Sequence, residues 1–228
     1  VWAHGFISLG GERFSKSAGV KLELSDAIDR YGVDAFRYYL LCEVPFDGDG
    51  NFSWERFEEV YTSDLANTLG NLGSRSIAMI EKYRGSVVPT GTCDPSLWSS
   101  HSADLARARA AIDGARRFRP HEAIGALLDA ARRTNEYIQR TQPWVMARDE
   151  ANAGRLNEVL HSLAASLAHF AAWLAPVMPE KMQALWEQLG GPGDVTRVRL
   201  DQPIDVGGWK VTKGAPLFPK PEVPPTVS

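Results

Sequence analysis

The stretch that most limits what this chain can become is residues 53–84. Phe57, Tyr61, Leu65, Leu69, Leu72, Ser76 and Ile80 recur there at steps of three and four, the spacing that gathers side chains on one face of a helix. It predicts one long helix, with Ser53 placed to cap the first turn and Glu55 where the helix dipole favours an acid. A stripe of this length needs partners. Residues 103–117 are alanine-rich and read as helical. From Pro120 a third helix places Ile124, Leu127, Leu128, Ala131, Asn135 and Ile138 on one side, and "TQPW" stops it because proline cannot continue the hydrogen-bond ladder. A fourth, over about 152–175, turns Leu156, Val159, Leu160, Leu163, Leu167, Phe170 and Leu174 inward, and a fifth covers roughly Pro179–Leu189. These faces are satisfied against one another, which makes a helix bundle. The heptads are too irregular for a coiled coil.

The flanks differ in character. "VWAHGFISLGGE" reads as a short extended segment and a glycine turn, and "LSDAIDRYGVDAFRYYLL" (24–41) as two short helices broken at Gly32. Ser25 or Asp26 is placed to open the first of these and Asp34 the second. Tyr31, Phe36, Tyr38, Tyr39 and Leu40 read as packing residues. "PFDGDGNF" is turn-forming, and "GSVVPTGTCDPSLWS" reads as a loop. The end of the chain is rich in Gly and Pro, with "VTRVRL" as a possible short strand. The expected fold is mainly α. It comprises a short α/β connecting segment over 1–52, a helical bundle over 53–190, and a tail over 191–228 that packs back on the core.

Composition narrows the function. At 228 residues, 44% hydrophobic and 23% charged, the chain is globular, and its net charge of -3 argues against a polybasic binder that grips any nucleic acid. A local basic site is compatible with that charge. Cys42 and Cys93 form no CxxC pair, and His4, His101, His121, His161 and His169 follow no metal-ligand spacing, so no metal site is expected. The histidines read as surface or packing residues. No apolar run has membrane-spanning length, and unpaired cysteines favour a cytoplasmic setting. The chain starts at Val1, which suggests the cut edge of something longer.

Three features carry chemistry. In "GGERFSKSAG" (10–19), Lys16 lies between Ser15 and Ser17 on a glycine-flanked segment. A lysine there is either part of a plain surface turn or a mobile point charge suited to phosphate oxygens; the spacing of a Walker A loop is absent. Asn71 and Arg75, four apart, share a helix face with Asp64 and Thr68. Such a pair makes an interhelix hydrogen bond on a solvated face, or reads base edges. Trp144, just after Pro143, either caps the bundle core or offers a stacking platform for an unpaired base.

Taken in order, "HGFISLGGERFSKSAG", "DAIDRYGVDAFRYYLL", "DGNFSWERFEEVYTSDLANTLGNLGSR", "TQPWVMARDE" and "APLFP" resemble the methionyl-tRNA synthetases, class I aminoacyl-tRNA synthetases, over nearly the whole chain. The resemblance implies that "RFSKS" (13–17) is the family's second signature, usually KMSKS, a loop that closes over ATP. Lys16 would contact the phosphates, with Arg13, Ser15 and Ser17 beside it as further catalytic residues. Arg13 and Phe14 depart from the family's Lys and Met. It further implies that Asn71 and Arg75, in "NLGSR", contact the CAU anticodon and that Trp144 stacks on an anticodon base. The implied reaction joins methionine to tRNA(Met) using ATP with Mg2+, held mainly by a nucleotide-binding half that carries a HIGH-type signature. No such sequence occurs in this chain, so it is expected to be inactive alone and to partner tRNA(Met) and an N-terminal catalytic domain, covalently upstream or as a separate chain. Two rivals remain. One is a stand-alone tRNA-binding or regulatory module. The other is a helical scaffold, which would keep Asn71 and Arg75 buried and mutually satisfied and point Trp144 into the core.

Overall fold

Gly32 marks the first break in the chain. Its φ of 85° lies in the region glycine tolerates, and it separates α1 (Leu24–Tyr31) from α2 (Val33–Glu43). In the computed structural model, which describes residues 5–9, 12–13, 24–45, 48–113, 118–200 and 204–219, these two helices lie beside a small sheet of order β2-β1-β3. β1 (Ile7–Leu9) pairs antiparallel with β2 (Glu12–Arg13) and parallel with β3 (Gly50–Phe52), Ile7 opposite Gly50 and Leu9 opposite Phe52. The extended reading of the first residues thus holds for Ile7–Leu9. α1 begins at Leu24, ahead of both expected caps, and Asp34 does not open its own helix. Its carboxylate accepts from the Lys181 backbone N–H at 2.7 Å, capping α9 (Pro179–Leu189) from outside. Tyr31, Phe36, Tyr38 and Tyr39 are buried and Leu40 is half-buried, as packing residues should be. Tyr31, Phe36, Tyr39, Phe52, Trp54 and Phe57 form a cluster of edge-on and tilted rings.

β3 runs directly into the long helix. Ser53 Oγ accepts from the Arg56 N–H at 3.2 Å, as a cap does, and Gly85, at φ 57°, ends the helix. All seven stripe residues from Phe57 to Ile80 are buried. One point corrects the expected single α-helix: α3 (Trp54–Val60) and α4 (Asn71–Arg84) are joined by ten π-helical residues, Tyr61–Gly70. Thr68 Oγ1 donates to the carbonyl five residues back, Ser63 O, at 2.8 Å.

The remaining helices are α5 (Pro95–Asp113), α6 (Pro120–Thr141), the short α7 (Pro143–Met146) and α8 (Ala153–Leu174). α5 starts well before the expected residue 103, because Asp94 Oδ1 accepts from the Ser96 N–H at 2.8 Å and Pro95 suits a first turn. "VTRVRL" is not a strand: Val195–Arg197 form a 3-10 turn capped by Asp194. α8 is buried along nearly its whole length. The fold is mainly α, as expected. Polar groups line the seam of α5, α6 and α8. Tyr137 and Arg155 donate to Asp94, and Arg133 and Arg107 to Asp104. His101 Nε2 lies 3.0 Å from Thr134 Oγ1. His101, His161 and His169 are buried, in keeping with a packing role. Cys42 and Cys93 are free. In the tail, Val206, Val211, Leu217 and Phe218 are buried, and Tyr61 Oη donates to Pro219 O at 2.7 Å.

Candidate functional site

Of the residues singled out in "RFSKS", Lys16, Ser15 and Ser17 lie outside the described residues, and of Arg13 only the backbone in β2 is described. That strand is bound through β1 to β3, and β3 leads into the helix that carries the second candidate group.

Asn71 opens α4 and is exposed. Its N–H donates back into the π segment, to the Ala66 and Thr68 carbonyls. Arg75, one turn on, is half-buried. Its guanidinium donates from Nη2 (3.2 Å) and Nη1 (3.3 Å) to the Gln139 side-chain carbonyl on α6, in the amide orientation that satisfies both partners. Asn71 and Arg75 are therefore neither buried together nor bonded to each other. Gln139 is neutral and accepts without cancelling the charge, so the cation stays available to a further acceptor.

Gln139 also ties Arg75 to the end of α6, where the chain turns sharply. Gln142 takes a left-handed conformation (φ 48°) and Pro143, buried, opens α7. Trp144 follows. It is half-buried, packed against the core while part of its surface stays open. That is an intermediate answer to the two readings: the side chain packs on the core without being fully buried. Arg140 and Arg148 are exposed on either side of this turn, and the Arg140 guanidinium lies 5.6 Å from the centroid of the Tyr137 ring. Asn71 and Arg75 on α4, Arg140 on α6, Trp144 on α7 and Arg148 just after it are polar, cationic and aromatic side chains left at least partly open, and the Arg75–Gln139 contact ties α4 to the end of α6. Their chemistry suits an unpaired nucleotide: amide for a base edge, guanidinium for base or phosphate, indole for a base face. Sequence reasoning missed Gln139; its place four residues after Asn135, on the α6 face that meets the long helix, was the available signal. Among the described residues no group of three His, Cys, Asp or Glu is placed to hold a metal ion, and no helix is long and apolar enough to cross a membrane.

Comparison with known proteins bears on the chain as a whole. Residues 1–77 match the family described as tRNA synthetases class I (M). The chain is 38% identical over 227 residues to the methionine–tRNA ligase of Halalkalibacterium halodurans, covering 98% of this chain and 34% of that protein. It is 36% identical over 236 residues to that of Streptomyces coelicolor, covering 99% and 44%. The solved Mycobacterium tuberculosis methionyl-tRNA synthetase bound by methionyl-adenylate superposes with a TM-score of 0.86 at 30% identity, over 95% of this chain and 43% of that one. The fold is thus similar to that of a solved methionyl-tRNA synthetase, and the first third of the chain matches the class I model. Within that class the comparisons support the methionyl-tRNA synthetase family, and the chain spans between a third and a half of the length of these relatives.

Proposed function

We propose that this chain is the anticodon-reading part of a methionine–tRNA ligase and also carries the loop that contacts ATP. The whole enzyme would condense methionine with ATP to methionyl-adenylate and pyrophosphate, then pass the methionyl group to tRNA(Met). In that reaction the Lys16 ammonium, with Arg13, Ser15 and Ser17, would meet the charge that develops on the phosphates. The bundle would bind the CAU anticodon through Asn71, Arg75 and Trp144. The observation that supports this reading is that Asn71 is exposed, Arg75 is held by the neutral Gln139, and Trp144 is only half-buried. A helical scaffold would have kept the pair buried and mutually satisfied and turned Trp144 inward. The stand-alone tRNA-binding module shares these residues and differs in lacking use for Lys16.

The test is binding of the chain to a short RNA hairpin with a CAU loop. Replacing a stacking aromatic by alanine costs about 1–3 kcal/mol per base, roughly tenfold to hundredfold in affinity. Trp144→Ala is expected to lose that much, and Asn71→Ala to lose preference for CAU over a changed loop. Full binding by both variants would overturn the assignment.

A further inference from the structure

The face of α6 that meets the long helix carries three polar side chains at helical spacing, Arg132, Asn135 and Gln139. Arg132 Nη2 donates to Asp64 Oδ1 at 2.8 Å, and Asp64 also accepts from Tyr38 Oη at 3.0 Å. Asn135 Nδ2 donates to the Thr68 carbonyl at 3.1 Å and to Ala131 O in its own helix at 3.3 Å. Gln139 holds Arg75. The three contacts therefore grip the long helix within the π segment, near its end, and one turn into α4.

The middle contact is the unusual one. Asn135 interrupts an apolar stripe between Ala131 and Ile138, and its Oδ1 is buried without a hydrogen-bond partner among the described residues. Leaving a buried acceptor unsatisfied is costly, so an apolar residue of the same shape would be the more stable choice. What the amide obtains in return is the Thr68 carbonyl, the same oxygen that receives the N–H of Asn71. Asn135 thus holds the junction where the wider π turns pass into α4. A helix that slipped from π to α there would turn every later side chain to a new direction.

We infer that Asn135 is a positioning residue for the RNA-reading residues: by bonding the Thr68 carbonyl it sets the direction in which Asn71 and Arg75 leave the helix. The inference rests on the anticodon reading proposed above. It places specificity in a half-buried side chain that touches no RNA.

The test uses the full chain with Asn135→Leu and, as a smaller replacement that cannot clash, Asn135→Ala. Two quantities are read: the thermal midpoint, and the ratio of affinities for the CAU hairpin and a hairpin with changed loop bases. A loss of folded fraction lowers both affinities equally and leaves the ratio alone. Since displacements of about 1 Å in a recognition group cost one or two orders of magnitude, the ratio is expected to fall about tenfold or more in both variants. The midpoint of Asn135→Leu should be unchanged or raised. An unchanged ratio in either folded variant overturns the inference. If the ratio falls for Asn71→Ala but not for the Asn135 variants, the inference alone fails; if the unsubstituted chain shows no preference, the anticodon reading fails first.

Discussion

Asp34 shows how far a residue's role can lie from its neighbours in sequence. It sits in α2, yet its Oδ2 accepts from the Lys181 N–H and caps α9, while Oδ1 is buried without a partner among the described residues. Burial is the main influence on this carboxyl and raises it above the ordinary carboxylate value, against the lowering effect of the Lys181 N–H. Loss of a cap costs about 0.5–2 kcal/mol, so Asp34→Ala should lower the urea midpoint accordingly with an unchanged slope. Asp34→Asn keeps an oxygen for Lys181 and removes a buried charge, and is expected to cost less than Asp34→Ala; equal losses would contradict the capping account. The sequence shows that Asp34 is a capping type of residue but not which helix it serves, because the partner is 147 positions away. The same holds at the site. Asn71, Arg75 and Trp144 were legible in the sequence as residue types suited to RNA, the role proposed for them here. That Arg75 has Gln139 as its acceptor depends on how two helices are packed, which no local pattern encodes.

Among the elements, the helix stripes were the most legible, since every one of the seven residues assigned inward on the long helix is buried. The π segment left no local signal: four successive steps of four, from Leu156 to Ala172, lie buried in the ordinary α-helix α8. The start of α5 was present as Asp94-Pro95 but hidden in turn-forming composition. The seam of α5, α6 and α8 predicts a pH dependence. Thr134 Oγ1 donates to Ala130 O at 2.8 Å, so at its 3.0 Å contact with His101 Nε2 it accepts. Burial is the dominant influence and pushes His101 down to about 4; Asp104 opposes this, and His169 and Arg133 add to it. His169 is lowered too, chiefly by burial. Both imidazoles bind protons more readily unfolded, so the stability they allow is complete above the unfolded value of about 6.5 and is lost as pH falls towards 4. Asp94 works in the same direction at lower pH: burial raises its carboxyl, but hydrogen bonds from Ser96, Arg155 and Tyr137 outweigh burial and hold it below the ordinary carboxylate range. Urea midpoints should therefore fall from pH 7 to pH 4.5, and His101→Gln should flatten that slope. A midpoint independent of pH over this interval would contradict the reading of the seam.

On the scale of the whole molecule, the strand that contains Arg13 and the helix that carries Asn71 and Arg75 are joined through one small sheet, so the two candidate regions share a frame. That frame contains the proposed reading residues and no HIGH-type sequence. Since positioning of ATP and amino acid supplies much of the rate, the chain alone is expected to give no methionine-dependent exchange of pyrophosphate into ATP; measurable exchange would contradict its assignment as a part. The most direct test of the central claim is the affinity of the unsubstituted chain for a set of hairpins in which each base of a CAU loop is changed in turn. The account predicts that binding weakens at every changed position, by roughly 1–3 kcal/mol each where a base is read or stacked. Equal affinity across the set would contradict it.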